Sequence, residues 1–248
     1  MNTRSLKAIC LNVAAAAALL IMTDGCKAPS FGNEISIHQE TQIGRQEASM
    51  VESEYGVVTD ADINGPVQDA AAKILPLAEK LRPDVTFQVK LLQSDDGNMF
   101  SVCGGWIYID TGLLLRTGND PNVIGCLLAH EAAHVILEHS VKRLADAYGK
   151  EALVDLLTRG GYQEAADIAV QLDETNHSRV EEYDADKLGL ELASRAGYDP
   201  IGMLKLFTIL QQQAPNVPDA AWLKTHPLTP GRIKRDELIV RDIEAGRD

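Results

Sequence analysis

The chain has 248 residues, of which 36 are acidic and 23 are Lys or Arg, giving a formal net charge of −13. Such an acidic balance argues against a nucleic-acid-binding function and against adhesion to anionic lipid headgroups by charge. A chain of this length without a low-complexity linker suits one domain with a sizeable core, and we predict a single domain over residues 26–248.

The N-terminus has the pattern of an export signal. Two basic residues precede an apolar, alanine-rich stretch from Ala8 to Met22, and the small residue Gly25 stands directly before Cys26. We predict that residues 1–25 are a signal peptide of the lipoprotein type and that Cys26 is the lipidation site, with simple cleavage as the alternative. The apolar stretch is shorter than the ~20 residues of a transmembrane helix, so a permanent span is the weaker option.

The next elements alternate between helical and extended patterns. Amphipathic helices are predicted over Glu34 to Glu54 and Ala61 to Leu81, and strands over Val85 to Leu91 and Trp106 to Asp110. After Gly118 the pattern is helical to the end of the chain. The fold class predicted is therefore α+β, mainly α, with a small β-sheet beside the central helix.

One predicted helix, in the apolar run Val123 to Leu137, carries the motif His130-Glu131-Ala132-Ala133-His134. Residues four apart lie on the same helical face, so both imidazoles can reach one metal ion while Glu131 stands beside it. A zinc hydrolase uses this arrangement, because zinc lowers the pKa of a water that the carboxylate can deprotonate. The alternative is a pair of core histidines that bind no metal.

A third protein ligand is expected on a second helix, which begins near Ser178. Ser178 and Glu181 have the spacing of a capping box. Glu182, Ala185, Asp186 and Gly189 share one face of this helix. Because Ala185 and Gly189 are small, the helix can approach the histidine helix closely. Periodicity alone does not decide between Glu181 and Glu182 as the ligand.

These residues resemble the gluzincin zinc peptidases of the CAAX-prenyl-protease type, and more closely their soluble periplasmic branch of bacterial lipoproteins. The match includes Asn98-Met99-Phe100-Ser101, Gly104-Gly105 with its strand, His139, and a C-terminal His226-Pro227 segment, and it covers about the last 150 residues. Cys103 and Met99 depart from the family pattern. The fold implied is a zincin-like metallopeptidase domain.

The resemblance also implies the roles of individual residues. His130, His134 and Glu182 would bind one Zn2+ per chain, Asp186 would orient a ligand, and Glu131 would act as general base. His226 would bind the oxyanion or cap the zinc from a mobile loop. An extended substrate would pair with an edge strand formed by four residues: Gly105, Trp106, Ile107 and Tyr108.

The function implied is a zinc endopeptidase of the bacterial periplasm, lipid-anchored to the outer or inner membrane. Its partners would be unfolded or extended polypeptides, and we expect no nucleic acid. The alternative is a chaperone-like assembly factor for outer-membrane proteins in which cleavage is secondary. Cys103 and Cys126 are the pair left for a disulfide in an oxidising compartment.

Overall fold

The computed structural model describes residues 35–173, 175–213 and 220–247. The predicted signal peptide and Cys26 lie outside these residues. No helix in the described part of the chain is long and apolar enough to cross a membrane.

Most of the described chain is helical, as predicted, and a three-stranded sheet lies in its N-terminal half. The N-terminal half contains α1 (Ile37–Tyr55), α2 (Ala61–Leu81), β1 (Gln88–Leu92), β2 (Met99–Ser101), a 3-10 turn (Cys103–Gly105), β3 (Trp106–Asp110) and α3 (Thr111–Arg116). The C-terminal half contains α4 (Pro121–Ile136), α5 (His139–Tyr148), α6 (Lys150–Thr158), α7 (Tyr162–Asp173), α8 (Arg179–Arg195), α9 (Ile201–Gln213), α10 (Ala221–Thr225) and α11 (Pro230–Glu244). The predicted mainly helical α+β class is confirmed.

The sheet has the strand order β1-β3-β2, with β1 parallel and β2 antiparallel to β3. The expectation that Trp106 to Tyr108 form an edge strand is wrong, because β3 is hydrogen-bonded on both sides. The two edge positions belong to β1 and β2, each of which has β3 as its one partner strand among the described residues. β2 escaped prediction as a strand because three residues are too few to show an alternating pattern.

Helix α4 is the centre of the core. Asp120 caps it by accepting hydrogen bonds from the amides of Asn122 and Val123, and Pro121 fills its first turn. Every residue from Val123 to Val135 is buried, as expected for a helix that is apolar on all sides. The motif histidines therefore lie inside the protein.

Helix α8 packs directly on α4, as its small residues predict. A Cβ added at Gly189 would lie 2.8 Å from the Cα of His130, and Ala185 is fully buried. The capping box is present, because Ser178 accepts from the amide of Glu181 while the Glu181 carboxylate accepts from the amide of Ser178. Glu181 is thus used at the helix end, and Glu182 faces the core.

The two cysteines do not form the disulfide considered above. Cys103 and Cys126 are both buried free thiols. The sulfur of Cys126 lies 3.5 Å from the carbonyl of Asp199, whereas Cys103 lies in the 3-10 turn against Gly44 of α1. Each thiol fills its own packing position, as is common for Cys.

Candidate metal centre and active site

Four side chains from three elements meet at one point. Helix α4 supplies His130 and His134, α8 supplies Glu182, and His226 follows α10; one ligand-type atom from each lies within 4.8 Å of the others. The Nε2 atoms of His130 and His134 are 3.1 Å apart, and Nε2 of His134 is 3.4 Å from Oε1 of Glu182. The structure thus brings together the three predicted ligands and His226.

The atoms that face the centre of this cluster lack hydrogen-bond partners. Oε1 of Glu182 and Nε2 of His226 are buried without a hydrogen bond to any described residue, whereas Oε2 of Glu182 is paired with the guanidinium of Arg232. Burial raises the pKa of Glu182 well above its usual value and lowers the pKa of His130, so the imidazole is neutral. Unpartnered buried donors and acceptors are costly. A divalent cation would satisfy these atoms, and neutral imidazole with carboxylate is a donor set that zinc accepts.

His130 is oriented by a charged network beneath the cluster. Its Nδ1 lies 3.0 Å from Oδ1 of Asp186, so Nδ1 carries the hydrogen and Nε2 is free to bind a metal. Arg232 of α11 donates two hydrogen bonds of 2.7 Å to Asp186, and its third nitrogen, Nη1, contacts Glu182. One guanidinium therefore fixes both a ligand and the carboxylate that orients another.

The Nδ1 side of His134 faces other histidines, in contrast to the Nδ1 side of His130, which faces a carboxylate. Its Nδ1 lies 2.8 Å from Nδ1 of His139, and the ring of His177 lies 4.2 Å from its own, centroid to centroid. Burial, followed by the neighbouring rings of His177 and His130, lowers the pKa of His134 well below its usual value. With its hydrogen on Nδ1, the neutral ring donates to Nδ1 of His139, and its Nε2 lone pair faces the cluster.

Glu131 lies on the other side of the histidines, against β2 and α10. Its Oε2 accepts a hydrogen bond from the hydroxyl of Ser101 at 3.2 Å, and its Oε1 accepts one from the indole of Trp222 at 3.4 Å. Burial raises the pKa of Glu131 to about 8, although both hydrogen bonds act to lower it. A carboxyl that titrates near neutral pH is suited to accepting and returning a proton.

His226 occupies a different environment from the mobile loop expected. It follows the short helix α10, is buried, and stacks on Trp222 with an interplanar angle of 8°. Its Nδ1 is 3.3 Å from the carbonyl oxygen of Trp222, so the lone pair of Nε2 points into the cluster, 3.4 Å from Oε1 of Glu131. The apolar contact that buries His226 is made by Trp222, four residues earlier.

The predicted substrate-binding residues lie in the sheet and its core. Trp106, Ile107 and Tyr108 are buried, and the backbone of β3 is paired on both sides. Gly105 lies in the turn before β3, where an added Cβ would be 2.6 Å from the carbonyl oxygen of Thr86. Substrate pairing along this strand is therefore excluded by the observed strand order.

The candidate site is closed in this structure. His130, Glu131, His134, Glu182 and His226 are each at most 2% exposed. The cavity that reaches Glu182 has a volume of about 20 Å³, which is room for one water molecule. A polypeptide can reach these residues only after a covering element has moved.

Three residues at the site carried no role in the sequence interpretation. His177 lies against both His134 and His226, with ring centroids 4.2 Å and 4.9 Å away. Trp222 and Ser101 supply the two hydrogen bonds to Glu131. The available signals were weak: Trp222 precedes His226 by four residues, and Ser101 ends the Asn98-Met99-Phe100-Ser101 motif.

Comparison with known proteins agrees with this geometry. The chain is 24% identical to the beta-barrel assembly-enhancing protease of Escherichia coli, over 82% of this chain and 44% of the relative. It is 28% identical to the mitochondrial metalloendopeptidase OMA1 of Bos taurus, over 63% of this chain and 33% of the relative. A Vibrio cholerae relative matches at 24% identity over 93% of this chain and 51% of its own length. The chain spans about half the length, or less, of these relatives.

Residues 61–237 match the family model described as "Peptidase family M48". The match covers more than half of the chain and includes every residue of the cluster. This family consists of zinc metalloproteases. The chain belongs to peptidase family M48.

Proposed function

We propose that this protein is a zinc endopeptidase of the bacterial envelope that hydrolyses peptide bonds of misfolded or misassembled envelope proteins. The observation that carries the proposal is the buried cluster of unpartnered atoms on His226 and Glu182, beside the two motif histidines. His130, His134 and Glu182 would hold the zinc ion. When bound, zinc supplies Lewis-acid activation of water and of the scissile carbonyl.

The remaining chemistry belongs to the residues around the cluster. Glu131 accepts the proton of the attacking water and passes it to the leaving amine, as its raised pKa and its position beside the histidines favour. Ser101 and Trp222 hold its two oxygens, so that one geometry is kept during both transfers. Asp186 and His139 keep the histidine rings in the tautomers that leave Nε2 free.

In this proposal, His226 covers the metal site in its closed, resting form. Its Nε2 lies 3.4 Å from Oε1 of Glu131 and 4.0 Å from Oε1 of Glu182 and makes no hydrogen bond to any described residue, which favours the resting-site role over the oxyanion role. If His226 caps the site, the variant His226→Ala raises the cleavage rate of a short peptide. A lower rate would assign His226 to the oxyanion instead.

Strand β2 is the substrate strand that we propose in place of β3. The carbonyl of Asn98 and the amide of Val102 bond to β3, so the alternate residues Met99 and Ser101 turn their main-chain groups to the free edge. An extended peptide that pairs there would pass beside Glu131, because Ser101 contacts it. Substrate peptides N-methylated at one amide at a time test this pairing: cleavage should be lost at alternate positions. Uniform tolerance of the methyl groups would contradict it.

The decisive experiment compares Glu131→Gln with wild type. The variant should keep stoichiometric zinc and the wild-type circular dichroism while losing about 10²–10⁴-fold in cleavage of an unfolded protein such as casein. Glu54→Gln, which changes an exposed carboxylate on α1, is the matched control and should be fully active. Retained proteolysis in Glu131→Gln would refute the proposed mechanism, and wild-type protein without zinc would refute the proposed site.

A second candidate function is favoured by the closure of the site. A protein whose catalytic residues are at most 2% exposed can act as a chaperone-like assembly factor in which cleavage is secondary. The names of the bacterial relatives, which refer to beta-barrel assembly, are compatible with both roles. Complementation of a deletion strain separates the two: a Glu131→Gln variant that fully restores growth would favour the assembly factor.

The compartment is part of the proposal and depends on the N-terminal sequence. We propose that residues 1–25 direct export, that Cys26 carries a lipid, and that the protein belongs to the soluble lipoprotein branch of its family, with residues 26–248 as one peptidase domain. Membrane fractionation of wild type and Cys26→Ser tests the anchor. The variant should leave the membrane fraction, and equal membrane association of both proteins would contradict lipidation.

A further inference from the structure

Below the metal-ligand cluster lies a group of charged side chains that is short of positive charge. Glu182 and Asp186 of α8 and Arg232 and Asp236 of α11 are all at most 2% exposed. They comprise three carboxyl groups and one guanidinium. His130 contacts this group through Nδ1, which lies 3.0 Å from Oδ1 of Asp186.

Arg232 does not supply a hydrogen bond to every acid. Its Nε and Nη2 donate to Asp186, and its Nη1 contacts Glu182. Both oxygens of Asp236 are buried and accept no hydrogen bond from any described residue. Asp236 lies one helical turn after Arg232 on α11, so its side chain is on the same face as the guanidinium.

A buried carboxylate without a donor is strongly unfavourable, whereas a buried carboxylic acid needs only an acceptor for its own O–H. Burial, together with the charge of Asp186, raises the pKa of Asp236 to about 8. Asp186, in contrast, accepts two hydrogen bonds from Arg232 and lies 3.0 Å from Nδ1 of His130, and these donors stabilise its ionised form. Of these two neighbouring acids, Asp186 is therefore the anion and Asp236 keeps the proton.

We propose that Asp236 is a positioning residue of the metal centre, whose side chain donates a hydrogen bond to Asp186 and thereby fixes the carboxylate that orients His130. Asp186 then accepts from three sides: from His130, from the Arg232 fork and from Asp236. Because Arg232 also contacts Glu182, the same network acts on two ligands from two helices. This inference rests on the proposed metal ligation.

Two near-isosteric substitutions of Asp236 test whether its side chain acts by donating a hydrogen bond to Asp186 or by carrying a negative charge. Asp236→Asn keeps an N–H donor at the same position, and Asp236→Leu keeps the volume without any donor. Glu237→Gln, on the exposed neighbouring residue, is the matched control. Zinc affinity is measured against a competing chelator, with circular dichroism as the measure of folding and kcat/KM for a short peptide as a second readout.

We expect Asp236→Asn and Glu237→Gln to match wild type, and Asp236→Leu to lose about 10- to 100-fold in zinc affinity. Wild-type zinc affinity in Asp236→Asn together with reduced affinity in Asp236→Leu is the result that a purely structural role of this side chain would not produce. Wild-type affinity in Asp236→Leu, or equal loss in the Asn and Leu variants, would overturn the inference. Wild-type protein that binds no zinc would instead refute the proposed function.

Infrared spectroscopy tests the proton directly and remains valid if Asp236→Leu fails to fold. The difference spectrum of wild type minus Asp236→Asn at pH 7 should contain the C=O stretch of one protonated carboxyl group. Other buried acids, such as Glu131, cancel in this difference. A carboxylate band in its place would show an ionised Asp236 and would overturn the inference.

Discussion

Substituting Gly189 by Ala tests the helix contact that brings Glu182 to the histidines. The added Cβ would lie 2.8 Å from the Cα and 2.9 Å from the backbone nitrogen of His130. Carbon atoms in contact lie about 3.5–4.0 Å apart, so α8 must move away from α4 by roughly 0.7 Å. Neither neighbour is a flexible side chain that can turn aside.

The expected cost has two parts. Overpacking of a close-packed core destabilises by about 1–3 kcal/mol, which chemical denaturation of the metal-free protein measures. Metal–ligand distances tolerate about ±0.2 Å, so a shift of α8 that carries Glu182 away from His134 should also lower zinc affinity at least about tenfold. The second loss is specific to this contact, because Gly189 itself touches no proposed ligand atom.

Gly65→Ala on α2 is the matched control. An added Cβ at Gly65 meets nothing within 4 Å, so its effect on the free energy of unfolding should stay within about 1 kcal/mol and its zinc affinity should be unchanged. A Gly189→Ala protein that is destabilised but binds zinc like wild type would show that the ligands adjust independently of the helix spacing. That result would refute the argument.

Three further outcomes follow from the site and the core. Trp222→Phe and Ser101→Ala each remove a hydrogen bond that lowers the pKa of Glu131. The acidic limb of the plot of kcat/KM against pH should therefore move to higher pH in both variants. An unchanged limb would show that a group other than Glu131 titrates there. Removing zinc with a chelator should lower Tm, because the atoms of Glu182 and His226 lose their partner, and zinc should restore it; an unchanged Tm would contradict the metal site. Dithiothreitol should leave Tm unchanged, since Cys103 and Cys126 are free thiols, and a fall in Tm would show a disulfide.

The sequence predicts those parts of the fold that depend on neighbouring residues. The apolar run Val123 to Leu137 becomes α4 at Pro121–Ile136, because the cap, the proline and the apolar stretch are all local signals. The capping box at Ser178 likewise marks the start of α8 and separates Glu181 from Glu182. The spacing of four residues also predicts that His130 and His134 share one face of α4 and that Glu182 and Asp186 share one face of α8.

Parts of the site that depend on distant contacts were not predicted. Strand order is one, since nothing within Trp106 to Asp110 shows that β2 and β1 flank it. The environment of His177 is another, because its neighbours His134 and His226 are about 45 residues away on either side. Trp222 was missed because a short helix of five residues has no periodicity to reveal its buried face.

The elements that hold the proposed ligands differ in size from those that cover them. His130, His134 and Glu182 lie on helices of 16 and 17 residues that pack on each other through the core, whereas Trp222 lies on a helix of five residues that His226 directly follows. Short elements with few buried contacts open at lower free energy than core helices. Movement of α10 would uncover Glu131 and withdraw His226 together, since Trp222 of α10 is stacked on His226, and it would leave the α4–α8 contact intact. The closed state and a catalytically competent zinc site are thus compatible within one fold.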